Sequence, residues 1–167
     1  RSPYHNQYTE SHGGGRSALA LRFADLDALV ITGRSPEPCY LEVGSRRCAV
    51  HRADFLWGLK ISESARLLRR ISKGSGHRTI LRIGPAGENQ LPMAGINIDT
   101  YRHFGRLGGG AAMGVKNLKA VVIRGDASFP LPEGKSYTAL FDKVYAAVTE
   151  SGMMKKYHDL GTPANLE

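Results

Sequence analysis

The sequence predicts an α+β fold in which one unit, a glycine-rich loop followed by a helix and a strand, occurs twice. In the second copy, Gly108–Gly110 lead through a helix-compatible segment into the apolar, β-branched run Lys119–Ile123, which is typical of a buried strand. The first copy has Gly13–Gly15 in the same place. Its residues Asp25–Gly33 (DLDALVITG) match Asn117–Gly125 (NLKAVVIRG) at equivalent leucine, alanine, valine, isoleucine and glycine positions. We therefore expect an internal duplication.

The first half of the chain is predicted to contain two helices, a strand and a hairpin. The glycine-rich entry favours a helix after Gly15, although the spacing of the apolar residues there also suits a strand. Ser62 is the N-cap candidate of the next helix, in which Ala65, Leu68 and Ile71 fall three apart. The predicted elements are a helix at Arg16–Ala24, a strand at Ala28–Thr32, a hairpin of Tyr40–Val43 with Cys48–His51, and a helix at Ser62–Ile71.

The second half is predicted to add three strands, which are followed by a linker and an amphipathic helix. Glu88 ends a tight turn at Gly84–Asn89, and its expected role is structural rather than that of an acid or base. The strands are expected at Thr79–Ile83, Leu91–Ile98 and Lys119–Ile123, followed by a linker at Phe129–Pro132 and an amphipathic helix at Tyr137–Val148. We expect one domain over residues 1–126 and the start of a helical second domain over residues 135–167, both parts of a larger protein.

The composition, 41% hydrophobic and 23% charged, is that of an ordinary globular protein. No run approaches membrane-spanning length and no signal-peptide pattern opens the chain, so we expect a cytoplasmic protein without a membrane partner. The formal net charge is +8, but the arginines are scattered and few aromatics lie beside them to stack on bases. A basic pocket for a small anionic cofactor explains this charge better than nucleic-acid binding does.

The two cysteines, Cys39 and Cys48, are expected to be small buried residues on neighbouring strands. They do not form a C-x-x-C pair, and without a secretory signal a disulfide is not expected. Two cysteines alone cannot assemble an iron–sulfur cluster or a structural zinc site.

The stretch Thr100–Gly125 reads as an anion cradle. Glycines let a ligand approach the main chain, and Arg102 and Arg106 can form bidentate, charge-assisted bonds to phosphate. The glycine spacing gives neither the dinucleotide fingerprint nor a P-loop, and the six histidines show no metal-ligand spacing. His12 and His103 stand out because each lies at a glycine-rich loop.

These motifs together resemble the tungsten-containing aldehyde ferredoxin oxidoreductase family. The resemblance runs along nearly the whole chain, and its two most specific motifs are IGPAGEN and GRLGGGAAMGVKNLKAVVIRG. The others are RSP at Arg1, the Gly14-Gly15 pair, LRFA followed by DALVITG, and ADFLWG.

The resemblance implies a domain of two β-sheets related by a pseudo-two-fold, which cradles tungsten, or molybdenum, held by two pterin dithiolenes. A magnesium ion bridges the two pterin phosphates. By position, Arg102, Gly105 and Arg106 resemble pterin-phosphate contacts, and His103 stands where a backbone carbonyl binds the magnesium.

The other half of the cradle is carried over in the same way. Gly14 matches a pterin-contacting glycine, and His12 stands in place of an asparagine whose main-chain oxygen is the second magnesium ligand. The chain departs from the family pattern at Arg16 and Ser17, where aromatics are usual. It also departs at Asp25 and Leu107, where the family has glycine, and at Gly109, where it has leucine.

The activity implied by the resemblance is the oxidation of an aldehyde and water to a carboxylic acid. Two electrons pass through a [4Fe–4S] cluster to ferredoxin, and the implied partners also include the rest of the polypeptide and, as an open option, a second copy. The cluster cysteines and catalytic residues of the family fall beyond Glu167, so no catalytic residue is assigned here. A truncated or degenerate paralogue that binds at most a phosphate-bearing ligand or a partner chain is the alternative.

Overall fold

The computed structural model describes residues 6–74, 76–128, 130 and 134–166, and divides the chain into two compact units, Arg1–Ser128 and Phe129–Glu167. The predicted α+β class is confirmed, because the first unit combines helices with a six-stranded mixed sheet. The RSP motif at Arg1 and all but Pro130 of the predicted linker lie outside the described residues.

The sheet has the strand order β2-β1-β6-β3-β4-β5. Only β1 and β6 pair in parallel, and every other neighbouring pair is antiparallel. The strands are β1 (Cys39–Gly44), β2 (Arg47–Arg52), β3 (His77–Arg82), β4 (Ile96–Ile98), β5 (Arg102–Phe104) and β6 (Leu118–Gly125). The helices are α1 (Ser17–Phe23), α2 (Ile61–Ile71), α3 (Pro85–Glu88) and α4 (Gly109–Val115), with a 3-10 turn at Asp54–Leu56.

Strand β6 is the centre of the unit and separates two hydrophobic layers. Its side chains alternate, so that Val121 and Ile123 pack with Ala20 of α1, while Val122 packs on the other face with Leu68 of α2. Both faces of β6 are covered and six of its eight residues from Leu118 onward are apolar or glycine, which explains why the sequence shows a continuous apolar run there.

The predicted strand at Ala28–Thr32 is wrong. This segment has no regular secondary structure and packs Leu29 and Ile31 against the core, while Val30 between them is exposed. It pairs with no strand because both edges of β6 are already taken by β1 and β3. All strands among the described residues belong to one sheet, so neither a second sheet nor a pseudo-two-fold is seen here.

Two further boundaries differ from the prediction. Of the predicted strand at Leu91–Ile98, only the last three residues form β4, because the chain turns back at Leu91, whose carbonyl accepts from the Ala94 amide (2.9 Å). Helix α2 begins at Ile61 rather than after Ser62. Its N-cap is Lys60, whose backbone N–H donates to the Glu63 carboxylate (2.9 Å). The hairpin and the helices at α1 and α2 are otherwise confirmed.

The cysteine prediction is half right. Cys39 on β1 is buried and Cys48 on β2 is exposed, and both are free thiols.

A fully buried ion pair joins α3 to the central strand. The Lys119 ammonium of β6 contacts the Glu88 carboxylate, and both side chains are buried. Lys119 also donates to the Leu59 carbonyl (3.0 Å), and Glu88 accepts from the Gly58 amide (2.8 Å). Glu88 therefore has the structural role that the sequence predicts, but as a buried charge rather than as a turn residue.

Helix α3 in turn packs directly on α4 through glycines. A Cβ on Gly114 would overlap the Gly87 carbonyl, and one on Gly87 would lie 3.0 Å from the Gly110 carbonyl oxygen. The two backbones can approach this closely only because these positions carry no side chain. The position of α4, and of the loop that precedes it, is therefore set by α3.

The second unit contains α5 (Gly134–Thr149), α6 (Gly152–Leu160) and a 3-10 turn at Thr162–Asn165. The predicted helix at Tyr137–Val148 lies within α5. Its apolar residues Leu140, Val144 and Val148 are exposed. Among the described residues, no helix has the length and apolar character needed to span a membrane.

Neutralising Glu88 tests the buried pair. Glu88→Gln is expected to lower the free energy of unfolding by roughly 3–5 kcal/mol, because it leaves Lys119 charged and buried without a counter-ion. Replacing both residues, Glu88→Leu with Lys119→Met, should restore most of the loss. Chemical denaturation of the full natural polypeptide measures both. The control is Glu37→Gln, which removes an exposed pair with Arg52 (3.2 Å) and should cost less than about 1 kcal/mol.

Gly114→Ala tests the contact between α3 and α4. The added methyl group has no room against the Gly87 carbonyl, so we expect a loss of roughly 1–3 kcal/mol despite the better helix propensity of alanine. Gly134→Ala is the matched control, because a Cβ at this helical glycine meets nothing within 4 Å. Equal midpoints for the two variants in thermal unfolding would contradict the close approach.

Candidate functional site: a cradle of two glycine-rich loops

The two glycine-rich loops that the sequence singles out lie against each other. We call the surface formed by Ser11–Gly15 and Arg102–Gly108 the cradle. A Cβ on Gly13 would lie 2.6 Å from Ile98 Cδ1, and one on Gly15 would lie 3.1 Å from Arg102 Cγ. A Cβ on Gly105 would lie 3.8 Å from Ser11 Oγ. The structure thus brings together predicted site residues that are about 90 positions apart in the sequence.

The register of the β4–β5 hairpin assigns each side chain of β5 to one face. His103 pairs with Asn97. Successive side chains of a strand point to opposite faces, so Arg102 and Phe104 share the face that meets Gly13–Gly15. The His103 side chain instead lines a groove beside α2, away from the cradle. Only the main chain of His103 is thus left for a role in the cradle.

The glycines of the cradle fall into two classes. Gly15 (φ +102°) and Gly108 (φ +81°, the N-cap of α4) have left-handed backbones that other residues rarely adopt. Gly14 and Gly105 have no positive φ, and their nearest neighbours to an added Cβ are 3.9 and 3.8 Å away. Neither the backbone nor the packing of this chain requires glycine at these two positions.

The cradle carries positive charge. Arg102 and Arg106 are both exposed, and neither belongs to an ion pair among the described residues. His12 is also exposed, with its Nε2 3.8 Å from the Glu10 carboxylate. Two guanidinium groups without a described carboxylate partner suit a bidentate anion such as phosphate.

Three of the five departures from the family pattern, at Arg16, Asp25 and Leu107, are accommodated in this structure. Arg16 is the exposed N-cap of α1, and Leu107 is half-buried. Asp25 has a left-handed backbone (φ +59°), as does Asn117 (φ +54°), the residue that the sequence comparison of Asp25–Gly33 with Asn117–Gly125 places opposite it. Aspartate and asparagine are the residues other than glycine that adopt this conformation most readily, which explains why a glycine is not needed there.

No group of three or more histidine, cysteine, aspartate or glutamate side chains among the described residues could hold a metal ion. Backbone carbonyls, such as those of His12 and His103, are hard oxygen ligands of the kind that magnesium accepts.

A family model for the aldehyde ferredoxin oxidoreductase N-terminal domain matches residues 1–125. The chain belongs to this family. A tungsten-containing aldehyde ferredoxin oxidoreductase of Pyrococcus furiosus is 36% identical over 137 residues, which are 82% of this chain and 22% of that protein. The resemblance stated from the motifs is therefore confirmed.

Two other known proteins are also similar to this chain. The WOR-like subunit of an aliphatic sulfonate oxidoreductase of Pyrococcus furiosus is 30% identical, covering 80% of this chain and 23% of that protein. Among solved structures, the active site complex BamBC of benzoyl coenzyme A reductase, in complex with 1,5-dienoyl-CoA, superposes with a TM-score of 0.73 at 30% identity. That match covers 84% of this chain and 21% of the other. The chain thus spans about a fifth of the length of these proteins.

Two buried charges are not predicted by the sequence patterns. Lys119 lies inside the apolar run of β6, and Arg82 lies in β3. Both are buried. A charged residue at a position that a strand should bury is the available signal, because it demands a partner from elsewhere in the fold.

Alanine substitutions separate the two classes of glycine. Gly15→Ala should lower the stability of the full natural polypeptide by roughly 1–2 kcal/mol, because alanine is strained at positive φ. Gly14→Ala and Gly105→Ala should leave the thermal midpoint of the cofactor-free protein nearly unchanged. A large loss of stability in either of the latter two would mean that these glycines serve packing.

Proposed function

We propose that this chain is the cofactor-cradling part of an aldehyde ferredoxin oxidoreductase that carries a tungsten, or molybdenum, bis-pterin centre. The observation that carries the proposal is the meeting of the two loops. They present two arginines without a described ion-pair partner beside two glycines that the chain itself does not need. Neither backbone conformation nor packing requires glycine at these two positions. Glycine there is explained if a ligand lies against the main chain, because a side chain would stand in its way.

Each cradle residue has a proposed role toward the cofactor. Arg102 and Arg106 would bind a pterin phosphate through bidentate hydrogen bonds, and Gly14 and Gly105 would let the pterins approach the backbone. The carbonyls of His12 and His103 would hold the bridging magnesium ion. A main-chain ligand explains why a histidine can stand at either position and why the His103 side chain can face away from the cradle.

The proposed reaction converts an aldehyde and water into a carboxylic acid, with release of two electrons and two protons. The cofactor supplies the redox chemistry when bound, and this chain contributes position and positive charge. Ferredoxin would accept the electrons through a [4Fe–4S] cluster whose ligands, like the catalytic acid and histidine, would come from the rest of the polypeptide. A homodimer remains part of the same proposal.

We also propose that the duplication extends to the sheet and to the domain boundaries, with a cradle domain over residues 1–126 and a helical domain from residue 135. Strand β6 takes both its partners, β1 and β3, from residues that precede α4. If the first copy of the repeat follows the same order, the strands that pair with Ala28–Thr32 come before α1 in the chain. Together with Ala28–Thr32 they would form the second sheet of a pseudo-two-fold pair. The matching left-handed residues Asp25 and Asn117 support this arrangement.

A non-catalytic paralogue is the second candidate. The fold of this chain accommodates Arg16 and Leu107, but both depart from the family pattern at the glycine-rich loops, and this departure favours the second candidate. Such a protein would keep the fold and bind at most a phosphate-bearing ligand or a partner chain. A reading frame that continues beyond codon 167 and encodes a C-x-x-C-x-x-x-C run would remove this candidate.

Metal analysis of the full natural polypeptide tests the proposed function. After growth with tungstate and molybdate, we expect about one tungsten or molybdenum per chain.

Arg106→Gln should lower this content severalfold without changing the fold, because it removes one charge-assisted phosphate contact. Gly14→Ala should do the same through the loss of close approach. Arg34→Gln, at an exposed arginine outside the cradle, is the control and should keep the full content. Metal-free wild-type protein would refute the proposal.

A further inference from the structure

A groove of about 860 Å³ lies between α2 and the β4–β5 hairpin. The side chain of His103 lines it, whereas Arg102 on the same strand faces the cradle, so the groove and the cradle lie on opposite faces of the hairpin. None of the residues assigned to the cradle other than His103 contributes to this groove. It is therefore a separate feature that the proposed function does not use.

The floor of the groove holds a buried positive charge. Arg82 as a residue is 2% exposed, and its guanidinium donates to three neutral carbonyl groups, those of Ile61 (2.8 Å), Asp99 (2.6 Å) and Ile80 (3.4 Å). Burial, with a further contribution from the positive charge of Arg69, lowers the pKa of Arg82 to about 10. Arg82 thus stays charged at neutral pH, in an environment that does not favour its charge.

The acidic groups near Arg82 leave this charge only partly offset. Among the described residues that line the groove, Asp99 is the one carboxylate. Its two oxygens accept from the Thr79 hydroxyl (2.9 Å) and the Ile80 amide (3.0 Å). The Glu63 carboxylate, at the start of α2, accepts a hydrogen bond from the Lys60 amide. Lys60, Arg66 and Arg69 add three further cations along the α2 side of the groove. The groove therefore has a strongly positive field.

Apolar groups make up the rest of the lining. The α2 side supplies Ile61 and Ala65, and the opposite side supplies Pro85, Ala86 and Ile96. An inorganic anion would leave this apolar surface in contact with water, whereas a ligand with an apolar body would cover it.

From this arrangement we propose that the groove binds a small amphipathic anion, a carboxylate or phosphate group on an apolar body. The head group lies near Arg66 and Arg69, which are one turn apart on α2 and both line the groove. The field of Arg82 reinforces their attraction, and the body lies along Ile61 and Ala86. This site is independent of the cradle and of its metal cofactor, so it can be tested on protein that contains no metal.

Calorimetric titration of the full natural polypeptide tests the site with three probes of equal chain length: octanoate, octyl phosphate and octanol. Binding of octanoate or octyl phosphate at least tenfold tighter than that of octanol is expected, and the tighter of the two identifies the head group. If neither anion binds more tightly than octanol, or if the remainder of the polypeptide already fills the groove so that nothing binds, the proposal is overturned.

Variants of α2 locate the binding. Arg69→Gln and Arg66→Gln should each weaken binding of the anion about tenfold, because one charge-assisted interaction is lost. Arg70→Gln is the matched control, since Arg70 is exposed on the same helix but lines a different depression with Leu67. Phenylglyoxal labelling read by mass spectrometry gives an independent measure, in which the anion protects Arg69 and not Arg70. Equal effects of Arg69→Gln and Arg70→Gln would overturn the assignment.

Discussion

The buried ion pair between Lys119 and Glu88 is the constraint on which the first unit depends. It joins the central strand to α3. Glu88 also accepts a hydrogen bond from the Gly58 amide, and Lys119 also donates one to the Leu59 carbonyl. Removing two charges from water is costly, and only complete pairing makes it tolerable. The pair therefore specifies one position for α3, and the glycine contacts transmit that position to α4 and to the cradle loop before it.

The fold could be predicted from sequence where local pattern and final environment agree. The three-residue spacing in α2 places Ala65 and Leu68 on a face that is buried in the structure, whereas Ile71 at the end of the helix is exposed. The pattern of Ala28–Thr32 is equally clear, yet no strand forms, because pairing depends on a free neighbouring edge rather than on the segment itself. The partnership of Lys119 and Glu88 spans 31 positions, and no local pattern reports it.

The cradle could be predicted in its parts but not in its orientation. The repeat of glycine-rich loops and the two arginines identified Arg102–Arg106 and the loop near Gly14 as one site. Which side chains enter it depends on the register of a three-residue strand, and this separates Arg102 from His103. The distinction between glycines needed for conformation and those left open likewise requires backbone angles that the sequence does not contain.

The β4–β5 hairpin serves two surfaces at once, and this limits how its length can vary. Inserting or deleting a single residue in the turn at Asp99–Tyr101 would shift the register by one and exchange the faces. Arg102 would then face the α2 groove, and His103 would face the glycine loop. Insertions should therefore be tolerated in the irregular segment after Gly33, which belongs to no strand, and selected against in this turn. Where the chain does vary in length here, we expect changes of two residues, which preserve the side-chain alternation.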